Sequence, residues 1–214
     1  VLLKHLALLG LYPVRLQNHP GYKASRWYAI HNTRHAAGNP VVAATLCAVP
    51  FMVPQAITIS DVGARVSTLS SGGKFQLAIY AADATTLQPT GTALGSTSDL
   101  STTSAALVTG ALSQSVSLQP GKIYYLVMNA DATAGGTACL QVPDSATTVY
   151  GWWVGSTTAT DVNTLANSMY LYLRSASTGI HAYNTWPDLT SVTLSPITGD
   201  IRYTTGIFKV ASVP

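Results

Sequence analysis

The stretch Ile57-Thr58-Ile59-Ser60-Asp61-Val62-Gly63-Ala64-Arg65-Val66 reads as one long strand with a break in the middle. Ile57 and Ile59 alternate with Thr58 and Ser60. After Asp61 the alternation resumes in the opposite phase, with Val62, Ala64 and Val66. A period of two puts every second side chain on one face of a sheet, so each half predicts a half-buried strand. The change of phase at Asp61 predicts a bulge or bend.

The same pattern continues on both sides. Toward the N-terminus, Val41 to Val53 is an apolar run interrupted by Pro50 and followed by Pro54, which places it at a sheet edge or in bulges. Toward the C-terminus, Ser71-Gly72-Gly73 is a turn. Phe75, Leu77, Ile79 and Ala81 then alternate with Gln76, Ala78 and Tyr80, a half-buried strand. Asp83 to Thr103, rich in Thr and Gly, reads as a long loop, and Leu107 to Leu118 as one or two short strands. Gln119-Pro120-Gly121-Lys122 carries Pro and Gly at the two central positions of a type II turn. Ile123, Tyr125 and Val127 alternate with Tyr124, Leu126 and Met128, so both faces of that strand are covered and it is central in its sheet. Further strands are predicted at 137–142, 169–174, 192–194, 201–203 and 207–210. No convincing helix follows residue 40. The expected fold is all-β, a jelly-roll-like antiparallel β-sandwich over residues 41–214, with an extended, partly helical N-terminal arm over residues 1–40.

The arm differs in composition. Leu2, Leu3, Leu6 and Leu9 have helical spacing, Gly10 and Pro13 end it, and Asn18-His19-Pro20-Gly21 and Gly38-Asn39-Pro40 read as turns. Residues 1–60 hold Lys4, Arg15, Lys23, Arg26 and Arg34 and no acid, whereas residues 61–214 carry all eight acids against six basic residues. An acid-free basic arm is suited to docking on an acidic protein surface; a solvated terminus is the plainer alternative. Nucleic acid is disfavoured, because no recognisable motif accompanies the charge. The chain contains no Glu, and charged residues make up 9% of it, against ~25% in an ordinary soluble domain. So few charges favour self-association unless neighbours are fixed in an assembly. Cys47 and Cys139 both sit in apolar company, which favours buried thiols over a bridge. The apolar opening from Val1 to Leu9 is compatible with a signal-peptide remnant, and the initial Val with processing. No run approaches the ~18 apolar residues of a membrane span.

Several stretches together resemble a known family. They are Leu46-Cys47-Ala48-Val49-Pro50-Phe51-Met52-Val53-Pro54, running into Ile57 to Val66; Phe75-Gln76-Leu77-Ala78-Ile79-Tyr80-Ala81-Ala82-Asp83; and Leu118-Gln119-Pro120-Gly121-Lys122-Ile123-Tyr124-Tyr125-Leu126-Val127. This succession, over roughly residues 45–130, is similar to the jelly-roll domains of tailed-bacteriophage virion proteins, of the tail-fibre and appendage type. Similar Pro-Gly-x-Tyr-Tyr strands also occur in secreted carbohydrate-binding modules and adhesins. The resemblance implies a non-enzymatic structural protein on the particle surface, commonly a homotrimer, working beside other virion proteins. A capsid decoration protein and a carbohydrate-binding module are the alternatives. The attachment role of residues 1–40 is an inference from their charge and is not part of the resemblance.

Catalytic sets are hard to assemble. Without Glu, a glycosidase would need two Asp, and no local pair is present. No Gly-x-Ser-x-Gly elbow and no phosphate-binding glycine loop appear. His31 and His35 have helical metal-ligand spacing, with Cys47 downstream, but the helix is doubtful and surface histidines are the simpler reading. The expectation is therefore no enzyme, no cofactor and no metal. Tyr150, Trp152 and Trp153, with Tyr183 and Trp186, are candidate glycan-contacting aromatics, with Asp161, Asn163, Asn184 and Asp188 as polar partners. Core or subunit-seam packing is the competing reading of the same rings.

Overall fold

The computed structural model describes residues 21–30, 39–40, 42–134, 139–140, 173–175, 181–192, 194–196 and 206–214. Along these residues run β1 (Trp27–Ala29), β2 (Asn39–Pro40), β3 (Cys47–Met52), β4 (Ile57–Thr68), β5 (Lys74–Ala82), β6 (Pro89–Ser96), β7 (Leu100–Ser101), β8 (Leu107–Leu118), β9 (Ile123–Ala130), β10 (Cys139–Leu140), β11 (Leu173–Ser175), β12 (Leu194–Pro196) and β13 (Gly206–Ser212). They form two antiparallel sheets, so the protein is an all-β sandwich. In the first sheet the order is β1-β13-β4-β8, with β10 and β2 continuing beside the far end of β4. In the second it is β12-β11-β3-β9-β5-β6, with β7 on the end of β5. No helix among the described residues is long and apolar enough to cross a membrane.

The pairing follows a simple rule. Count β1, β3, β4, β5, β6, β8, β9 and β13 as strands one to eight. Strand one then pairs with eight, two with seven, three with six and four with five, all antiparallel.

The alternation along β4 makes its inner face: Ile57, Ile59, Val62, Ala64 and Val66 are all buried. The bulge falls where the phase changes. Ile59 pairs with Val210 and Asp61 with Lys209, so Ser60 is the extra residue relative to β13. The distortion is larger on the other side. Ile59 pairs with Val116 and Asp61 with Ala111, so β8 residues 112–115 bow away from β4.

The core between the sheets includes Phe51, Phe75, Leu77, Ile79, Leu126, Met128 and Phe208. Each large apolar side chain buried there stabilises the fold by about 1.5–3 kcal/mol. Tyr22 and Tyr28 join it: Tyr22 meets Tyr28 edge-on at 4.6 Å and Phe208 at 5.6 Å. Burial pushes the Tyr22 hydroxyl up to about 12. Thus Tyr22 to Ala29, within the stretch expected as an arm, is packed onto the sandwich and supplies its first strand, paired Trp27 to Lys209.

A second apolar cluster lies on the outer face of the second sheet. Leu46, Ala48, Ala78, Tyr80, Tyr125 and Val127 are covered there by Trp186, Leu189, Val192 and Leu194. This cover corrects the reading of β5 as half-buried, because Gln76 to Tyr80 are buried on both faces. It also explains why β9 is apolar on both sides. The expected loop at 83–103 is corrected too: it contains β6 and β7. β6 was hidden because Pro89-Thr90-Gly91-Thr92-Ala93-Leu94-Gly95-Ser96 lacks bulky β-formers and holds its place through pairing with β5. Pro50 lies inside β3, and the described part of β11 pairs only with Cys47 and Ala48, leaving the Pro50 position without a ladder bond to β11.

Candidate functional site

The bowed section of β8 meets the edge of the second sheet and closes the sandwich along one side. Leu112 bridges to Thr97, the Ser96 N–H donates to Ser113 Oγ at 3.2 Å, and Gln114 Nε2 donates to the Leu94 carbonyl at 2.7 Å. Gly110 permits the approach, since a Cβ there would stand 2.7 Å from Leu100 Cδ2 and 3.3 Å from Thr97 Cβ. Over this seam opens a cavity of about 630 Å³, walled by residues 96–99 and 111–113 and completed by Gln76 and Asn184.

Its polar groups are wired together. Gln76 is 3% exposed. Its Nε2 donates to Asp99 Oδ1 at 2.9 Å and to Asn184 Oδ1 at 2.7 Å. The Tyr183 hydroxyl donates to the same Asp99 oxygen at 2.7 Å, and Lys74 Nζ to the other at 2.9 Å. These contacts hold the Asp99 carboxyl below the usual carboxylate range, Lys74 first, then Tyr183 and Gln76. Burial, and then the bond to Asp99, push the Tyr183 hydroxyl well up. Asp99 therefore stays an anion, fixed in orientation and neutralised by Lys74. Asn184 adopts φ 67°, a left-handed conformation that Asn tolerates better than most residues. Thr97 Oγ1 accepts from the Leu77 N–H at 3.1 Å, and Ser113 Oγ accepts from the Ser96 N–H, so both hydroxyl hydrogens remain to be donated. Chemically the cavity offers hydroxyls, an amide and one neutralised carboxylate over the small apolar floor of Ala111 and Leu112.

Those of the residues expected to be functional that lie among the described residues are dispersed. Tyr183 sits at the cavity edge through Asp99, and Asn184 lines the cavity. Trp186 is half-buried against Tyr80, ring centroids 6.4 Å apart, as part of the outer cover. Asp188 caps the short 3-10 turn Leu189–Ser191 by accepting from the Thr190 N–H at 2.8 Å. Lys23 and Arg26 are exposed beside β1, where the Arg26 carbonyl accepts from the Val210 N–H at 2.9 Å. Lys4, Arg15, Arg34, His31, His35, Tyr150, Trp152, Trp153, Asp161 and Asn163 lie outside the described residues. Cys47 is buried in the second sheet, and Cys139 is a strand residue of the first. Among the described residues no group of three His, Cys, Asp or Glu could hold a metal ion.

Gln76, Asp99 and Ser113 escaped the sequence reading. Gln76 is one polar residue in an alternating strand, and Asp99 and Ser113 lie in runs of Ser and Thr. A usable signal was that Ala78 and Tyr80 share the face of Gln76 and are apolar, which hints that this face is covered. No protein-family model matches the chain, and no curated protein matches it.

Proposed function

We propose that the chain is a non-enzymatic jelly-roll protein of a bacteriophage virion, a tail-fibre or tail-appendage component exposed on the particle and assembled as a homotrimer. The observation that carries this reading is the pairing of strands one with eight, two with seven, three with six and four with five. That pairing supports a jelly-roll winding, one long hairpin rolled into two facing sheets. The stretches that resemble phage jelly rolls fall on its central strands: β3, β9 and β5 are adjacent in the second sheet, and β4 is central in the first. The scarcity of charge supports a chain whose surface is shared with fixed neighbours. Docking on those neighbours is assigned to Lys4, Arg15 and Arg34, with Lys23 and Arg26 exposed at the edge of β1.

A second reading, contact with surface glycans, is favoured by the polar cavity beside Tyr183 and Asn184.

Two measurements on the full chain test the main reading. Light scattering is expected to return three times the 22.4 kDa chain mass. Mass spectrometry and antibody labelling of purified particles are expected to find the chain on the tail. A monomer in solution that is also missing from particles overturns the proposal. Label on the head moves the chain to the decoration class.

A further inference from the structure

We infer that the cavity at the β6–β8 seam is a binding subsite for a neutral saccharide unit. The inference rests on the glycan-contact reading and names its place and ligand class.

Size comes first. The cavity, about 630 Å³, falls inside the ~300–1,000 Å³ range of small-ligand sites. Charge comes second. Asp99 is the acid in the wall, and Lys74 neutralises it at 2.9 Å. An anionic sugar would meet the carboxylate, and a free cation would compete with Lys74. A neutral ligand faces neither penalty.

Hydrogen-bonding capacity comes third. A sugar hydroxyl both donates and accepts, so it suits a wall that alternates the two. Ser113 and Thr97 keep hydroxyl hydrogens to donate, because their oxygens already accept backbone N–H groups. Asn184 has its carbonyl occupied by Gln76, which directs its Nδ2 hydrogens away from that bond. Asp99 accepts three bonds and keeps acceptor capacity for a fourth. Ala111 and Leu112 supply a small apolar surface for the C–H face of a ring.

The polar groups of the cavity are also preorganised. Gln76, almost wholly buried, fixes Asp99 and Asn184 with the two hydrogens of one amide group. Tyr183 fixes Asp99 from the other side. Little side-chain entropy is then left to lose on binding, which raises affinity for a small ligand. The position also suits a polymer, because the cavity is open and lies at an edge of the sandwich, where a chain could enter and leave.

The test uses the full chain and neutral oligosaccharides of glucose, galactose and mannose, followed by amide chemical shifts in solution. Binding that shifts residues 96–99 and 111–113 is expected. Ser113→Trp, at an exposed position on β8, sets a bulky ring into the cavity wall and is expected to weaken binding by about tenfold or more. Ser98→Phe, also exposed, serves as a second blocking variant, and circular dichroism checks that both fold. Undiminished binding by both folded variants overturns the subsite while leaving the glycan reading standing. No binding of any saccharide by the unaltered chain overturns both. Binding restricted to acidic saccharides overturns the neutral class.

Discussion

Gln76 on β5 and Asn129 on β9 stand directly opposite one another in the sheet, and both send their amide nitrogens into the segment that covers it. Asn129 Nδ2 donates to the Ala182 carbonyl at 3.2 Å, and Gln76 Nε2 donates to Asn184 Oδ1. The two amide oxygens, Gln76 Oε1 and Asn129 Oδ1, are buried and find no hydrogen-bond partner among the described residues. Two polar residues on one face thus clip residues 182–184 to the sheet, while each leaves a desolvated acceptor behind.

Replacing Gln76 by Met keeps the length of the side chain and removes both its donors and its orphan oxygen. The lost bonds to Asp99 and Asn184 dominate, because each bond to a buried or charged partner is worth about 0.5–3 kcal/mol. Q76M is expected to lower stability by about 1–2 kcal/mol in urea unfolding. Faster amide exchange confined to residues 182–186 is the accompanying sign.

The outer cover can be tested at its polar pin and at its apolar centre. The Tyr80 hydroxyl donates to the Pro187 carbonyl at 2.9 Å, and Leu189 is 3% exposed in the second cluster. Tyr80→Phe is expected to cost about 0.5–1.5 kcal/mol and to leave the fold intact. Leu189→Ala, which opens a cavity, is expected to cost about 2–4 kcal/mol. Equal costs from the two would contradict an apolar cluster held mainly by burial.

Asp99 should give the fold an acid-sensitive contact. Its folded pKa is depressed, so it lies below the unfolded value of about 3.9. Its stabilisation is complete above that unfolded value and is lost as pH falls through the folded pKa. The Asp99 side chain is 40% exposed and Lys74 51%, so water screens the pair and the effect is small. Asp99→Asn is expected to lower Tm at pH 6 by about 1–3 °C and to flatten the slope between pH 4 and pH 2. Asp83 and Asp188, held low by their own bonds to Thr86 and Thr190, keep part of the acid limb in that variant.

Gly73 is fixed by space rather than by backbone angle. A Cβ there would stand 2.5 Å from Thr102 Oγ1 and 2.9 Å from the backbone of Ala134. The backbone cannot yield as a side chain would. Gly73→Ala is expected to lower stability by about 1–3 kcal/mol, measured by thermal or urea unfolding.

What could be read from the sequence was whatever is local. The phase change at Asp61 is written in ten consecutive residues, and the bulge is found at Ser60. The Pro120-Gly121 turn needs a positive φ at Gly121, which is 76°. β9 is apolar on both faces and is buried on both. What could not be read was non-local. The burial of Gln76 depends on a segment more than a hundred positions away; the apolar Ala78 and Tyr80 on its face hint at a cover but do not name it. Trp186 as a packing residue rather than an exposed platform was the competing reading of the same letters. The cavity draws on β5, β6, β8 and residue 184, whose meeting depends on how β8 bows away from β4.

The one-with-eight pairing also sets the order in which the chain can close on itself. Ala82 to Pro89 is a short span, Ile57 to Leu118 is longer, Cys47 to Met128 longer again, and Trp27 to Lys209 crosses most of the chain. Loop-closure entropy rises with each step, so contacts are expected to zip outward from the Asp83–Gln88 connection, with the outermost pair forming last. High contact order makes such folding slow, on the millisecond-to-second scale seen for β-sandwiches. During that interval β13 and the edge of β4 that pairs with it wait without their ladder bonds. Newly made chains are then most open to mispairing with one another, and a slow rate of synthesis gives the early hairpin time to form alone.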